Sequence, residues 1–488
     1  MFIDDHFQYL QSQYARPPRS LSSYFSQNTL TTDQASAAQV IEKFIRNPQS
    51  GVLILKGAAG TGKTFLMKAL VQYLADRNCC MFLMAPTGKA AEVLTNATGY
   101  KARTVHRTIF TFEDEEGNGG KDITIKDLKI APNNSFIICD EASMLSETIS
   151  ERTSKEILLE SLMIFSNLGK SQNKLILIGD AFQLPPIHQE ESLALQPLHF
   201  KNKYQAACTV IELNNVVRQK SHSGILSLAN MFRHALVTKR SVSSASLYRS
   251  FMSNHQFSDV ERAQSSISSI YLSHNPYSQD DNAIIIAQTN KLVDRYNKAI
   301  RACYFPPEMI HAPCAGDKLL VVKNSYTKEH DVYNGDIGFI SARYADVEAI
   351  SVGLTQGGVS KTIDLLFYDV EIQLKPNQGI ERRFRTHICS NALYSGEPGL
   401  TKEESLAFYA LKKIRTQHCT TQLEREIVLK NDPYLNALIV KFGYAITCHK
   451  SQGSSWQAVI LDNKSAYDNL RWHYTAITRA EEKLYLIS

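Results

Sequence analysis

The chain has 488 residues, 43% of them hydrophobic and 21% charged, which is an ordinary globular composition with room for two or three domains. Nine cysteines without a C-x-x-C pair argue against a zinc site or a disulfide framework and point to a reducing compartment. No apolar run approaches the roughly 18 residues of a membrane helix, and residues 1–14 are too polar for a signal peptide, so a cytoplasmic protein without a membrane partner is expected. The net charge of +5 permits a nucleic-acid partner but does not establish one.

Residues 1–29, with Arg16-Pro17-Pro18-Arg19, read as an extended arm. A helix follows, with Thr32 or Asp33 as the expected cap and Ala38, Ile41, Phe44 and Ile45 on its apolar face, ending at Asn47-Pro48. Short continuous apolar runs then alternate with helical stretches, at residues 52–55, 81–85, 136–139 and 175–178. Such runs predict strands buried on both faces of a parallel sheet, where ligands gather at the carboxyl ends. Between 109 and 125 lies a hairpin signal: Ile109-Phe110-Thr111-Phe112, an acidic and glycine-rich turn, then Ile123-Thr124-Ile125. A second series of buried runs occupies 283–287, 445–447, 458–461 and 484–487. Alternating patterns at 363–372 and 382–388 mark a β insertion over 341–433, which also holds a helix opened by the capping-box pattern Thr401-Lys402-Glu403-Glu404.

The chemistry begins at Gly57-Ala58-Ala59-Gly60-Thr61-Gly62-Lys63-Thr64, between the first buried run and the helical stretch 65–74. Glycines let the backbone curl its N–H groups toward phosphate oxygens, Lys63 adds a point charge, and the Thr64 hydroxyl can hold Mg²⁺. Asp140-Glu141 follows the third buried run, the place where hydrolysis needs one carboxylate for Mg²⁺ and another to orient and deprotonate water. Alone, an Asp-Glu pair is commonplace; downstream of a phosphate loop it predicts nucleotide hydrolysis.

With Gly179-Asp180, Gln183-Leu184-Pro185-Pro186 and the C-terminal stretches 447–453 and 474–480, these residues resemble superfamily 1 helicases, specifically the RecD-like and Dda-like 5′-to-3′ branch, superfamily 1B. The resemblance covers residues 30–488. It implies an α/β motor of two RecA-like parallel-sheet P-loop domains, with a small β-hairpin pin and an SH3-like β insertion. ATP with Mg²⁺ lies between the domains and single-stranded DNA across them. The implied organisation is the arm at 1–29, a first domain over 30–217 with the pin at about 107–130, and a second domain over 218–340 and 434–488 interrupted by the insertion at 341–433.

Residue by residue, the resemblance makes Gln34 an adenine reader, with a helix-start glutamine as the alternative, and Gln183 a sensor between γ-phosphate and DNA. Arg218 and Arg479 match arginine fingers that reach across the cleft; a surface ion pair is the alternative for each. Pro86, Thr87, Lys89, Thr104 and His106 in the first domain, and Thr447, His449, Lys450 and Gln452 in the second, match strand-contacting positions. For His106 and His449, a core or capping histidine stays open. Trp456 reads as packing. Arg382-Arg383-Phe384-Arg385 is either a brace for the strand or pin, or a solvated basic edge.

The implied function is a DNA-stimulated ATPase that moves 5′ to 3′ on single-stranded DNA and opens forked duplexes in replication, repair or recombination. It is expected to act as a monomer, with single-strand-binding or recombination proteins as partners. A regulatory ATP switch on nucleic acid and the ATPase subunit of a recombination nuclease are the competing readings.

Overall fold

The computed structural model describes residues 20–25, 30–113, 124–146, 158–215, 223–238, 242–254, 257–326, 331–356, 359–374, 382–464 and 466–487. The first part supplies β1 (Gly51–Gly57), β2 (Cys80–Ala85), β3 (Arg103–Thr104), β4 (Phe110–Glu113), β5 (Thr124–Leu128), β6 (Ser135–Cys139), β7 (Lys174–Gly179) and β8 (Cys208–Leu213). Six of these form a parallel sheet in the order β3-β2-β6-β7-β1-β8.

Period-two alternation explains why the central strands read as unbroken apolar runs. Leu53 and Leu55 of β1 face the core built with Leu66 and Leu70, whereas Val52 and Ile54 face another built with Ile137, Leu159 and Leu162. Each fully buried aliphatic side chain contributes about 1.5–3 kcal/mol. β4 and β5 stand apart as an antiparallel hairpin with a register shift at Thr111/Phe112. The hairpin turn, including the acidic residues 114–116, lies outside the described residues.

The second part supplies β9 (Val260–Arg262), β10 (Ala283–Ala287), β11 (Lys318–Val321), β12 (Ser325–Tyr326), β13 (Asp331–Val332), β14 (Ile337–Arg343) and β15 (Glu348–Gln356). β16 (Val359–Leu374), β17 (Arg382–Cys389), β18 (Leu438–Phe442), β19 (Ala445–Thr447), β20 (Trp456–Leu461) and β21 (Ala480–Leu486) complete it. A second parallel sheet runs β19-β10-β20-β21-β9. The α/β class and the two parallel sheets expected from the sequence are both present.

A third sheet runs β14-β11-β18-β17-β16-β15, and β14 also pairs with β16, so the sheet curls back on itself. It reaches beyond the expected 341–433 on both sides, taking in β11, the start of β14 and β18. β18 is buried at every residue, the pattern of a parallel-sheet strand, which is why its sequence points to the neighbouring domain. The helix Lys402–Thr416 opens with the expected box, Thr401 capping Glu404 and Glu404 returning to Thr401. Trp456 is packed in the second domain's core. Among the described residues, no helix is long and apolar enough to cross a membrane.

Buried charge joins the second and third sheets. Arg301, on the helix Asn290–Tyr304, donates to both carboxylate oxygens of Asp317, at 2.7 and 3.0 Å, just before β11. Tyr444 adds a 3.0 Å hydrogen bond to the same carboxylate. Arg301 is 3% exposed and Asp317 0%, so truncating one partner strands a charge away from water. Arg301→Ala is expected to lower stability by about 3–5 kcal/mol, read in urea or thermal melts, and Arg301→Met with Asp317→Leu to recover most of that loss.

Candidate nucleotide site between two parallel-sheet domains

Topology assembles the site first. Asp140 follows β6, Asp180 follows β7, and the phosphate loop closes β1; these three strands are neighbours in the sheet, so their carboxyl ends lie side by side.

The loop is internally braced. Gly60 and Gly62 have φ of 79° and 90°, in the left-handed region that a β-carbon disfavours. Thr61 turns its hydroxyl back to the Ala58 carbonyl at 2.9 Å, and Lys63 Nζ donates to the carbonyls of Gly57 (2.7 Å) and Ala58 (3.0 Å). The 13-residue helix Lys63–Ala75 has no side-chain cap at Gly62, so its first N–H groups are available to an anion. Thr64 is exposed on that first turn.

Gln34 sits at the helix start, beside the phosphate loop. The helix Thr32–Arg46 is capped by Thr31, not by Thr32 or Asp33, because Thr31 and Gln34 form a capping box. Gln34 Oε1 accepts the Thr31 N–H at 3.2 Å and Nε2 donates to the Thr61 carbonyl at 3.1 Å, with the side chain 4% exposed. The amide spends one lone pair on the helix cap and one of its two donors on the Thr61 carbonyl, so in this arrangement it braces the phosphate loop.

The acidic pair is poised differently. Glu141 is left-handed, with φ 49°, and its N–H donates to Asp140 Oδ1 at 2.9 Å. Burial, and then the neighbouring Glu141 charge, push Asp140 up to about 7; the Glu141 N–H and Lys63 pull the other way. Glu141 Oε2, Ser143 Oγ and Gln183 Oε1 are buried without a hydrogen-bond partner. Unpaired buried oxygens beside a carboxyl that resists ionisation fit a site completed by a cation and phosphate oxygens. Among the described residues, no cluster of three or more His, Cys, Asp or Glu forms a metal centre by itself.

The second domain grips the segment after β7 through side chains. Thr475 Oγ1 accepts the Leu184 N–H at 2.9 Å and Gln452 Nε2 donates to the Leu184 carbonyl at 3.0 Å. Arg471 donates to the Ala181 carbonyl, and Tyr474 Oη donates to Asp180 Oδ2 at 2.9 Å. Ala59 N–H of the phosphate loop reaches the same Tyr474 oxygen at 3.4 Å. A cavity of about 270 Å³ opens here, lined by Ala59, Gly60, Asn230, Tyr474 and Thr478 among others. Sequence reasoning missed Tyr474, Thr475 and Asp180 as site residues. The available signal was their place within the same stretches as Arg479 and Gln183.

Arg479 is 6% exposed and donates to the Thr475 carbonyl (3.0 Å), the Ser454 carbonyl (3.2 Å) and Thr478 Oγ1 (3.1 Å), all in its own domain. Tyr474 and Thr478, from the same stretch, line the cavity beside the phosphate loop. Arg218 lies outside the described residues.

The expected strand-contacting residues divide into two kinds. Thr87 and Thr104 cap helices, accepting the N–H groups of Ala90 and Arg107 at 3.2 Å each, and Pro86 precedes the first of these caps. His106 lies half-buried with its ring near Phe110, and Thr447 ends β19, half-buried. Among the rest, Lys89 pairs with Glu92 at 3.2 Å and Gln452 is held by Leu184. Lys450 Nζ donates to the Pro398 carbonyl at 3.5 Å; burial and Lys441 pull it down to about 8. Burial also lowers His449. The basic run on β17 is largely paired within its sheet, Arg385 with Asp369 and Arg383 with Glu371, Arg383 also donating to the Gln373 side-chain carbonyl, while Arg382 lies 4.0 Å from Glu92 of the first domain.

A β-carbon built on Gly62 would lie 2.4 Å from Gln34 Nε2, in a backbone region that itself costs about 1–3 kcal/mol for a non-glycine residue. Gly62→Ala is therefore expected to weaken nucleotide binding roughly ten- to a hundredfold, measured by titration with a fluorescent ADP.

A family model described as an AAA domain matches residues 29–241, and one described as the UvrD-like helicase C-terminal domain matches 442–487. The chain is similar to the ATP-dependent RecD2 DNA helicase of Deinococcus radiodurans, at 33% identity over 38% of this chain and 22% of that protein. It is 27% identical to the ATP-dependent DNA helicase dda of Enterobacteria phage T4 over 57% of each. It thus spans less than two thirds of both relatives. A Bacteroides Pif1 helicase structure is 18% identical, with 95% of this chain and 93% of that one covered and a TM-score of 0.48. The matched stretches hold the phosphate loop, the acidic pair and the segment that contacts residues 180–184, and over them the chain is similar to superfamily 1 helicases.

Proposed function

We propose that this chain is an ATP-dependent DNA helicase that moves 5′ to 3′ on single-stranded DNA and separates forked duplexes. The observation that carries the reading is the grip of the second domain on residues 180–184, one strand away from the phosphate loop. A nucleotide-driven change at the cleft is thereby conveyed between the two sheets. That the relatives RecD2 and dda are named ATP-dependent DNA helicases supports the substrate and the reaction.

Thr64 and Asp140 would hold Mg²⁺, which supplies positive charge to the phosphate oxygens. Glu141 presents its unpaired oxygen to orient and deprotonate water. Gln183 lies one residue before the clamped Leu184, where a change at its side chain passes directly to Thr475 and Gln452. Arg218 and Arg479 are the candidate positive charges for the transition state; Arg479 takes that role only by releasing Thr475, Ser454 and Thr478. The β4–β5 hairpin is the candidate pin, since each base-pair step opened costs about 1.4 kcal/mol of stacking and needs a rigid wedge. Pro86, Thr87, Lys89, Thr104, His106, Thr447, His449, Lys450 and Gln452 line the proposed strand path, and a monomer suffices for this cycle.

Forked duplexes with a 5′ or a 3′ tail test the proposal. Unwinding of the 5′-tailed fork alone is expected, and Lys63→Ala should abolish both unwinding and DNA-stimulated ATPase; preference for the 3′ tail would overturn the direction.

Lys450 adds a pH signature. A phosphate nearby favours its ammonium form, so strand binding takes up a proton once the free side chain is neutral. Affinity for single-stranded DNA should fall as pH rises through about 8, whereas Lys450→Arg should flatten that profile.

A further inference from the structure

Tyr474 enters the scheme above only through its bond to Asp180, yet its hydroxyl touches two parts of the first domain at once. It accepts the Ala59 N–H of the phosphate loop at 3.4 Å and donates to Asp180 Oδ2 at 2.9 Å. Asp180 is fully buried, and its other oxygen accepts the Phe182 N–H at 2.9 Å. The tyrosine ring packs edge-on against Phe182, with centroids 6.1 Å apart. The two arms differ in strength: a short hydroxyl bond to a buried carboxylate is firm, and an amide bond at 3.4 Å is weak. The same short helix, Leu470–Ile477, holds Ala181 through Arg471 and Leu184 through Thr475.

We propose that Tyr474 is a positioning residue, a hydroxyl latch that ties the phosphate loop to Asp180 and yields its weak arm to nucleotide. A phosphate oxygen on the loop competes for the Ala59 N–H. The firm arm to Asp180 persists, so the displaced tyrosine moves the helix Leu470–Ile477 relative to the loop while that helix stays attached to residues 180–184. The proposal rests on the nucleotide-driven motor reading and adds the element that converts loop occupancy into interdomain movement.

Tyr474→Phe keeps the ring and removes the hydroxyl, and three measurements on the full chain test it. Without nucleotide, amide hydrogen exchange across residues 57–62 should speed up by about threefold or more, because Ala59 loses its acceptor. Fluorescent ADP should bind as tightly as in the wild type or more tightly, since no hydroxyl has to be displaced. DNA-stimulated kcat should fall about tenfold with KM for ATP unchanged or lower. A raised KM at unchanged kcat would make the hydroxyl a simple nucleotide ligand and overturn the latch, as would unchanged exchange together with unchanged kcat. If Tyr474→Phe does not fold, Asp180→Asn keeps an acceptor, removes the charge, and should lower kcat in the same direction; an unaltered kcat there would also overturn it. Absence of DNA-stimulated ATPase in the wild type would instead defeat the motor reading, and the exchange measurement separates the two failures.

Discussion

Everything at the cleft depends on the parallel register of β6, β7 and β1. Parallel pairing sets Cys139 beside Leu177 and Lys56 beside Gly179, so the chain leaves all three strands at nearly one level. Parallel pairing thereby brings the acidic pair, Asp180 and the phosphate loop to one edge of the sheet. A one-residue slip would turn Val52 and Ile54 toward the wrong core and bury the wrong faces of every strand, so the same apolar burial that holds the domain also fixes the site.

The bonding between parts follows two different logics. Between the second and third sheets, Arg301, Asp317 and Tyr444 form a buried network whose rupture leaves a charge in low dielectric, which makes that junction a permanent one. Across the nucleotide cleft, Thr475 and Gln452 make neutral hydrogen bonds worth only about 0.5–1.5 kcal/mol net each, while Tyr474 to Asp180 and Arg471 to Ala181 involve a charged group and are worth about 1.5–3 kcal/mol. The neutral contacts, and the 3.4 Å bond from Ala59 to Tyr474, exchange readily for water or ligand, whereas the bond to the Asp180 carboxylate holds.

Much of this was legible from sequence because buried strands and glycine loops leave strong local marks. The runs at 52–55, 136–139 and 175–178 fall on β1, β6 and β7, and Gly60 and Gly62 take the left-handed conformations their loop needs. Short strands with weak patterns escaped: β9 is three residues with two of them exposed, and β8 alternates. Gln34 and Arg479 carried the right motif but different partners in this arrangement. Which acceptor an amide or guanidinium finds is decided by tertiary neighbours such as Thr61 and Ser454, tens of residues away in the chain. Tyr474 was missed for a related reason. A tyrosine in an apolar helix reads as core, and its ring is in the core; only the hydroxyl reveals the cleft.

The acidic pair is the least comfortable part of the first domain. Glu141 holds a left-handed backbone that costs a non-glycine residue about 1–3 kcal/mol. Its Oε2 has no partner, and Asp140 is pushed up to about 7 by burial beside it. None of this helps the fold, which would be more stable with apolar residues there. It does favour a ligand: a cation nearby turns two mutually repelling carboxyls into a paired site, and the relief appears as binding energy. Because a ligand stabilises only the state that binds it, by about 2.7 kcal/mol at a hundred times its Kd, the strain at Glu141 is offset when the site is filled and felt when it empties. The helix carrying Tyr474, Thr475 and Arg471 is the part of the other domain bonded to this edge of the sheet, so under the proposed motor reading a change in that strain would be felt there first.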